Sequence, residues 1–141
     1  MPVHDEYGSQ QGCVLRSYTG DLPKARTYVQ EGYSRLHFPG RTASELRSEV
    51  MAVEDIPSAE ALSLYFPTVA ILGSYLTTAQ CEHLLRSGVD VVHLALDEDA
   101  SAKSINQSRR HLAMDVRPVL LAKDPKDMDD AELLELTERV R

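Results

Sequence analysis

Tryptophan is absent from this 141-residue chain, and cysteine and phenylalanine occur only twice each. Cys13 and Cys81 stand far apart, with no C-x-x-C and no cysteine–histidine spacing, which excludes a disulfide framework and a zinc ribbon. Apolar runs such as Val91 to Leu96 fall far short of the roughly 18 residues a membrane-spanning helix needs. No G-x-x-x-x-G-K-[ST] occurs, so the chain carries no P-loop motor. Basic residues are outnumbered, 15 against 22 acidic, and a net charge of −7 argues against an extended nucleic-acid cradle. The opening Met1 to Glu6 lacks a basic-then-apolar signal pattern, so the expectation is a soluble, cytoplasmic protein with no membrane partner.

What is present is enough apolar residue, 43%, for one domain-sized core. The charge is unevenly spread. Residues 1–46 hold five basic and five acidic side chains, whereas residues 47–141 hold ten basic and seventeen acidic. The pattern changes at the same place. Residues 1–46 read as a small β-rich region: Cys13 to Tyr18, Thr27 to Val29 and Leu36 to Phe38 are short β-type segments separated by turn residues. Residues 47–141 read as strand and helix in alternation. Strands are expected at Val50–Val53, Thr68–Leu72, Val89–Leu96 and Arg117–Leu121. Helices are expected at Ser58–Tyr65 with Ser58 as N-cap, from Thr77 as cap to Arg86 with Gly88 closing it, at about Ser101–Met114, and at about Asp129–Val140. Such alternation predicts an α/β fold with parallel strands and right-handed crossovers.

In open parallel sheets ligands sit at the carboxyl ends of strands. Glu54 and Asp55 follow the first of these strands, Gly73 and Ser74 the second, Asp97 to Asp99 the third, and Lys123 to Asp127 the fourth. Three of the four ends deliver carboxylates to one rim. Asp97 and Asp99 are spaced i, i+2, which places them on one face of a strand. Two carboxylates about 4 Å apart repel by ~1 kcal/mol in water and ~4 kcal/mol at an effective dielectric of 20. A bound hard cation relieves that repulsion, although a lone D-x-D also serves as a solvated strand exit. Oxygen donors without a histidine nearby in sequence favour Mg²⁺ or Mn²⁺ over zinc. Lys103, Lys123 and Lys126 lie beside the rim as candidate nucleotide or phosphate ligands, with solvated surface charge as the alternative.

Val53-Glu54, Gly73-Ser74, Leu96-Asp97-Glu98-Asp99 and Lys123-Asp124-Pro125, each after a strand, resemble the Toprim domain of primases, topoisomerases and related nucleases. Asp97 to Ala102 is similar to the D-x-D-A-A-G stretch of primase Toprim domains, and Gly12 to Lys24 resembles the segment that precedes Toprim in phage primases and primase-helicases. The resemblance implies a Toprim, Rossmann-like fold over residues 47–141: a four-stranded, mainly parallel sheet flanked by helices, beside the small antiparallel β region of residues 1–46. It further implies that Glu54 is the acid/base carboxylate, that Asp97 and Asp99 hold Mg²⁺, and that Asp124, with Asp127, completes the metal set. Four places depart from the family pattern. Asp55 stands for the Gly after the glutamate and Ser58 for the Asp four residues beyond it. Ala102 replaces a Gly, and the late motif, often D-P-D, reads Asp124-Pro125-Lys126-Asp127.

The activity so implied is Mg²⁺-dependent nucleotidyl transfer by the catalytic part of a phage-type DNA primase, making RNA primers on single-stranded DNA. Nucleotides, single-stranded DNA and other replication proteins are the expected partners. The same site would serve a metal-dependent nuclease, and the departures at Asp55, Ser58 and Ala102 leave open a Toprim-fold factor that binds nucleic acid or a replication protein without turnover. His83, His93 and His111 lack an i+4 partner and read as structural. Tyr18, Tyr28 and Tyr33 are candidates for base stacking, with packing of the small sheet as the plainer reading.

Overall fold

The computed structural model describes residues 1–17, 19, 25–97, 106 and 113–141, with Asp97 described at its backbone. Two sheets organise the chain. A three-stranded antiparallel sheet, in the order β1-β2-β3, is built from β1 (Pro2–His4), β2 (Gln10–Arg16) and β3 (Ala25–Val29). A four-stranded sheet, in the order β5-β4-β6-β7, is built from β4 (Glu49–Val53), β5 (Thr68–Ala70), β6 (Val91–Asp97) and β7 (Asp115–Leu121). All three of its ladders are parallel. The helices are α1 (Gly40–Glu45), α2 (Ile56–Leu62), α3 (Thr78–Arg86) and α4 (Asp130–Val140), with a 3-10 turn at Pro125–Asp127. The expected helix at Ser101–Met114 lies largely outside the described residues.

Alternation along the strands divides the core between the two sheet faces, because successive side chains in a strand point opposite ways. Val50 and Ala52 of β4, with Val92, Leu94 and Leu96 of β6, pack with Cys81 and Leu84 of α3 and with Leu36 and Phe38. Met51, Val53 and Ala95 face the other way, onto Ile56, Ala59 and Leu62 around α2, Leu133 and Leu136 of α4, and Val3 and Val14 of the small sheet. Both faces of the parallel sheet are therefore covered, which is why its central strands read as near-continuous apolar runs. β7 is different: Asp115, Arg117 and Pro118 are exposed, and proline, lacking an N–H, is tolerated on a strand at the end of a ladder.

Several expectations shift in detail. Leu36–Phe38 makes no strand of the small sheet; His37 instead bridges Ala70 of β5, antiparallel, with N–H to O distances of 3.0 Å both ways. α2 starts earlier than Ser58: Asp55 is the N-cap, its carboxylate accepting from the Ser58 N–H at 2.9 Å, and Pro57 sits in the first turn, where its missing N–H costs nothing. α3 follows the pattern closely. Thr77 and Gln80 form a reciprocal capping box, and Gly88 takes the left-handed conformation, φ 91°, that closes the helix. Asp129 caps α4 with Glu132 in the same reciprocal way. Among the described residues no helix is long and apolar enough to cross a membrane.

Candidate functional site at the carboxyl rim of the parallel sheet

The rim is assembled by strand ends held in register. Ala52 of β4 pairs with Leu94 of β6, so Glu54, two residues on, and Asp97, three residues on, leave adjacent strands at nearly the same level. Asp97 closes β6 opposite Leu121 of β7, and Lys123 and Asp124 follow directly. The backbone around Glu54 is firmly tied. The Ile71 N–H donates to the Val53 carbonyl at 2.8 Å, and the Leu72 N–H donates to the Glu54 carbonyl at 2.9 Å. Leu72 reaches that position with φ 54°, the left-handed region a leucine seldom enters. Gln80, 1% exposed, holds the preceding residue by donating its amide to the Ile71 carbonyl at 2.7 Å. A strained residue beside the rim, fixed by a buried glutamine, fits a loop whose course matters to the site.

Glu54 is half-buried at the end of β4. Asp99 and Lys103 lie outside the described residues. Asp124 precedes the 3-10 turn, and Asp127, whose N–H bonds the Asp124 carbonyl at 2.9 Å, is exposed. The Lys123 ammonium is 2.8 Å from both Glu132 carboxylate oxygens, and that hydrogen bond raises its pKa. Lys126 turns inward. Its Nζ lies 2.6 Å from Asp55 Oδ2 and 3.6 Å from Asp124 Oδ2. Burial pushes the Asp55 carboxyl up, but the Lys126 hydrogen bond and two bonds involving Ser58 outweigh it and hold the group below the ordinary carboxylate value. The same hydrogen bond raises Lys126 against its partial desolvation.

The roles of two residues in this arrangement were not anticipated. Asp55 is both helix cap and lysine partner; an Asp–x–Pro sequence was the available signal for the cap, but Ser58 offered an equally good capping side chain. Arg16, at the end of β2, lies within electrostatic reach of Lys126 and brings the small sheet's positive charge toward the rim. Among the described residues no three His, Cys, Asp or Glu side chains converge as a metal cluster. The donor chemistry nonetheless suits a hard cation, since Glu54, Asp97 and Asp124 offer carboxylate oxygens from three strand ends.

An open parallel sheet with this strand order, acidic strand ends and a small antiparallel sheet packed against it defines the Toprim fold of DNA primase cores. A DNA primase domain from Pseudomonas aeruginosa superposes with a TM-score of 0.78 at 21% identity, over 98% of this chain and 50% of that one. The E. coli primase catalytic core gives a TM-score of 0.72 at 20% identity, over 99% of this chain and 50% of that one. The Aquifex aeolicus primase, solved with its zinc-binding and RNA polymerase domains, gives 0.73 at 22% identity, over 99% of this chain and 38% of that one. This chain thus spans half or less of the length of these three proteins. No family model matches the sequence, and no curated protein matches it.

Proposed function

We propose that this chain is the catalytic Toprim part of a DNA primase and carries out Mg²⁺-dependent nucleotidyl transfer, joining ribonucleotides on a single-stranded DNA template. The observation that carries the reading is the delivery of Glu54, Asp97 and Asp124 to one rim, in a fold shared with primase cores. Bound Mg²⁺ or Mn²⁺ would neutralise charge on the transferred phosphate. Asp97 and Asp99 are the proposed principal metal ligands, with Asp124 and Asp127 completing the set. Glu54 handles the proton of the attacking or leaving oxygen. Its half-buried position and its hydrogen-bonded backbone suit a group that must be held still.

Lys103 and Lys123 are proposed to meet the triphosphate. Lys123 is exposed and paired with the surface carboxylate of Glu132, an exchange a phosphate can win. The half of a primase core that this chain does not span would supply the remaining template contacts. Incubation with labelled single-stranded DNA, the four ribonucleotides and Mg²⁺ tests the proposal directly. Primer synthesis that falls by about two orders of magnitude or more in Glu54→Gln and Asp97→Ala is the expected result. Labelled fragments in place of primers would assign a nuclease, and template binding without any product would assign a non-catalytic factor.

A further inference from the structure

Lys126 does not project into solvent as a lysine in a surface turn normally does. Its ammonium sits between two carboxylates from different parts of the chain, 2.6 Å from Asp55 and 3.6 Å from Asp124, and the side chain is only 24% exposed. Both ends of this contact are anchored. Asp55 Oδ1 is committed to the Ser58 N–H as the cap of α2, which leaves Oδ2 facing the ammonium. Lys126 lies in the 3-10 turn whose Pro125 is buried, and its own N–H points at Ser58 Oγ, 3.4 Å away. α2 and the 3-10 turn therefore pack as a unit with the ammonium enclosed at their junction.

We infer that Lys126 is a resident cation of the rim, holding the place between Asp55 and Asp124 that a divalent ion would otherwise take. The inference rests on the metal-dependent reading proposed above and sharpens it: the rim operates with one divalent ion fewer than its carboxylates would hold. Charge balance is the reason. Asp55 and Asp124 carry two negative charges, and the ammonium already offsets one of them. A divalent ion at the same place would stand within a few ångströms of a fixed positive charge, and oxygen donors at metal-bonding distance would have to leave the lysine to reach it. Held by two carboxylates, the ammonium balances the acidic rim as a single charge with three N–H donors, without the open coordination positions by which Mg²⁺ bridges phosphate oxygens.

Counting bound Mn²⁺ by the electron paramagnetic resonance of the free ion tests this, using the full chain and its Lys126→Gln, Lys126→Met and Lys126→Arg variants. The neutral variants are expected to bind one more ion per chain than the wild type, and Arg to keep the wild-type count. Adding Asp55→Asn to Lys126→Gln is expected to remove the extra ion. Equal counts in the wild type and a neutral variant shown to be folded by circular dichroism would overturn the inference, as would an extra ion in the Arg variant. The two readings separate cleanly. A wild type that binds no ion, with neutral variants that bind one, supports the lysine's role and sinks metal dependence. A wild type that binds an ion, with variants that bind no more, does the reverse.

Discussion

Glu6 Oε2 lies 2.6 Å from His83 Nε2, joining the turn after β1 to α3 across more than half of the chain's length. A carboxylate only accepts, so Nε2 carries the hydrogen and donates it, while Nδ1 lies 2.6 Å from the Ser34 hydroxyl. The ring is 7% exposed, with Phe38 and Tyr33 packed against it. This relay ties the small antiparallel sheet's end of the molecule to the parallel domain. His83→Ala would leave Ser34 buried without its partner and Glu6 without its donor, and is expected to lower stability by about 2 to 3 kcal/mol. Urea denaturation of the variant gives the figure, and a loss below about 0.5 kcal/mol would show that the relay contributes little.

Acid should weaken the fold in two separate windows. His37 and His93 are buried, and burial draws both pKa values below the ordinary 6.5, against the opposing pull of Glu60 on His37 and Glu49 on His93. Below 6.5 the unfolded chain binds protons at these positions that the folded chain refuses, so stability falls as the pH drops through that value. Asp5 and Asp55 act lower down. Burial pushes both up, but hydrogen bonds from Gln11, Ser9 and Tyr7 to Asp5, and from Lys126 and Ser58 to Asp55, hold them below 3.8. Their contribution is present above that value and is lost as the pH falls further. His93 sharpens the test, because its Nε2 is buried with no hydrogen-bond partner among the described residues and lies 3.9 Å from Glu49. His93→Leu is expected to raise stability by about 1 kcal/mol and to flatten the upper window. Denaturant midpoints followed from about pH 8 to about pH 5 check both effects.

Gly12 marks the place where β2 and β3 approach too closely for a side chain. A Cβ there would fall inside contact distance of the Tyr28 carbonyl oxygen and only 2.7 Å from the Val29 Cα. Those atoms are backbone in a paired strand, so they cannot swing aside. Gly12→Ala is expected to cost at least about 2 kcal/mol and to loosen the β2–β3 pairing. Hydrogen exchange of the Val29 and Gln30 amides would report the loosening, and unchanged exchange would show that the strand absorbs the methyl group.

Where the chain follows a single local rule, sequence and structure agree closely. Thr77 with Gln80, Gly88, and Asp129 with Glu132 mark α3 and α4 because caps and closing glycines act within a few residues. β4 and β6 were legible from apolar runs that a doubly covered sheet explains. The misses have physical reasons as well. β1 has only three residues and α1 six with no side-chain cap, so neither carries a pattern, and both are fixed by what they pack on. Leu36–Phe38 had strand composition, but it extends neither sheet as a strand: His37 bridges Ala70 of β5 and the Phe38 N–H bonds the His4 carbonyl of β1 at 2.8 Å. At the rim, Glu54, Asp97 and Asp124 follow from strand order alone, whereas the Lys126–Asp55 pair joins residues 71 apart and no spacing rule reaches that far.

The double duty of Asp55 can be taken apart by two substitutions. Asn caps a helix about as well as Asp, so Asp55→Asn keeps the bond to the Ser58 N–H while removing the charge that faces Lys126. Asp55→Ala removes both. The cap alone is worth about 1 kcal/mol. The ion pair adds less, because Asp55 is 34% exposed and solvent screens it. Ala is therefore expected to be less stable than Asn by about 1 kcal/mol, with Asn only slightly below the wild type. Raised salt should narrow the gap between Asn and the wild type but leave the gap between Ala and Asn intact, since a cap is a short-range bond and an ion pair is not. If Asn lost as much as Ala, the charge facing Lys126 rather than the cap would be what holds α2 to the turn at Pro125–Asp127.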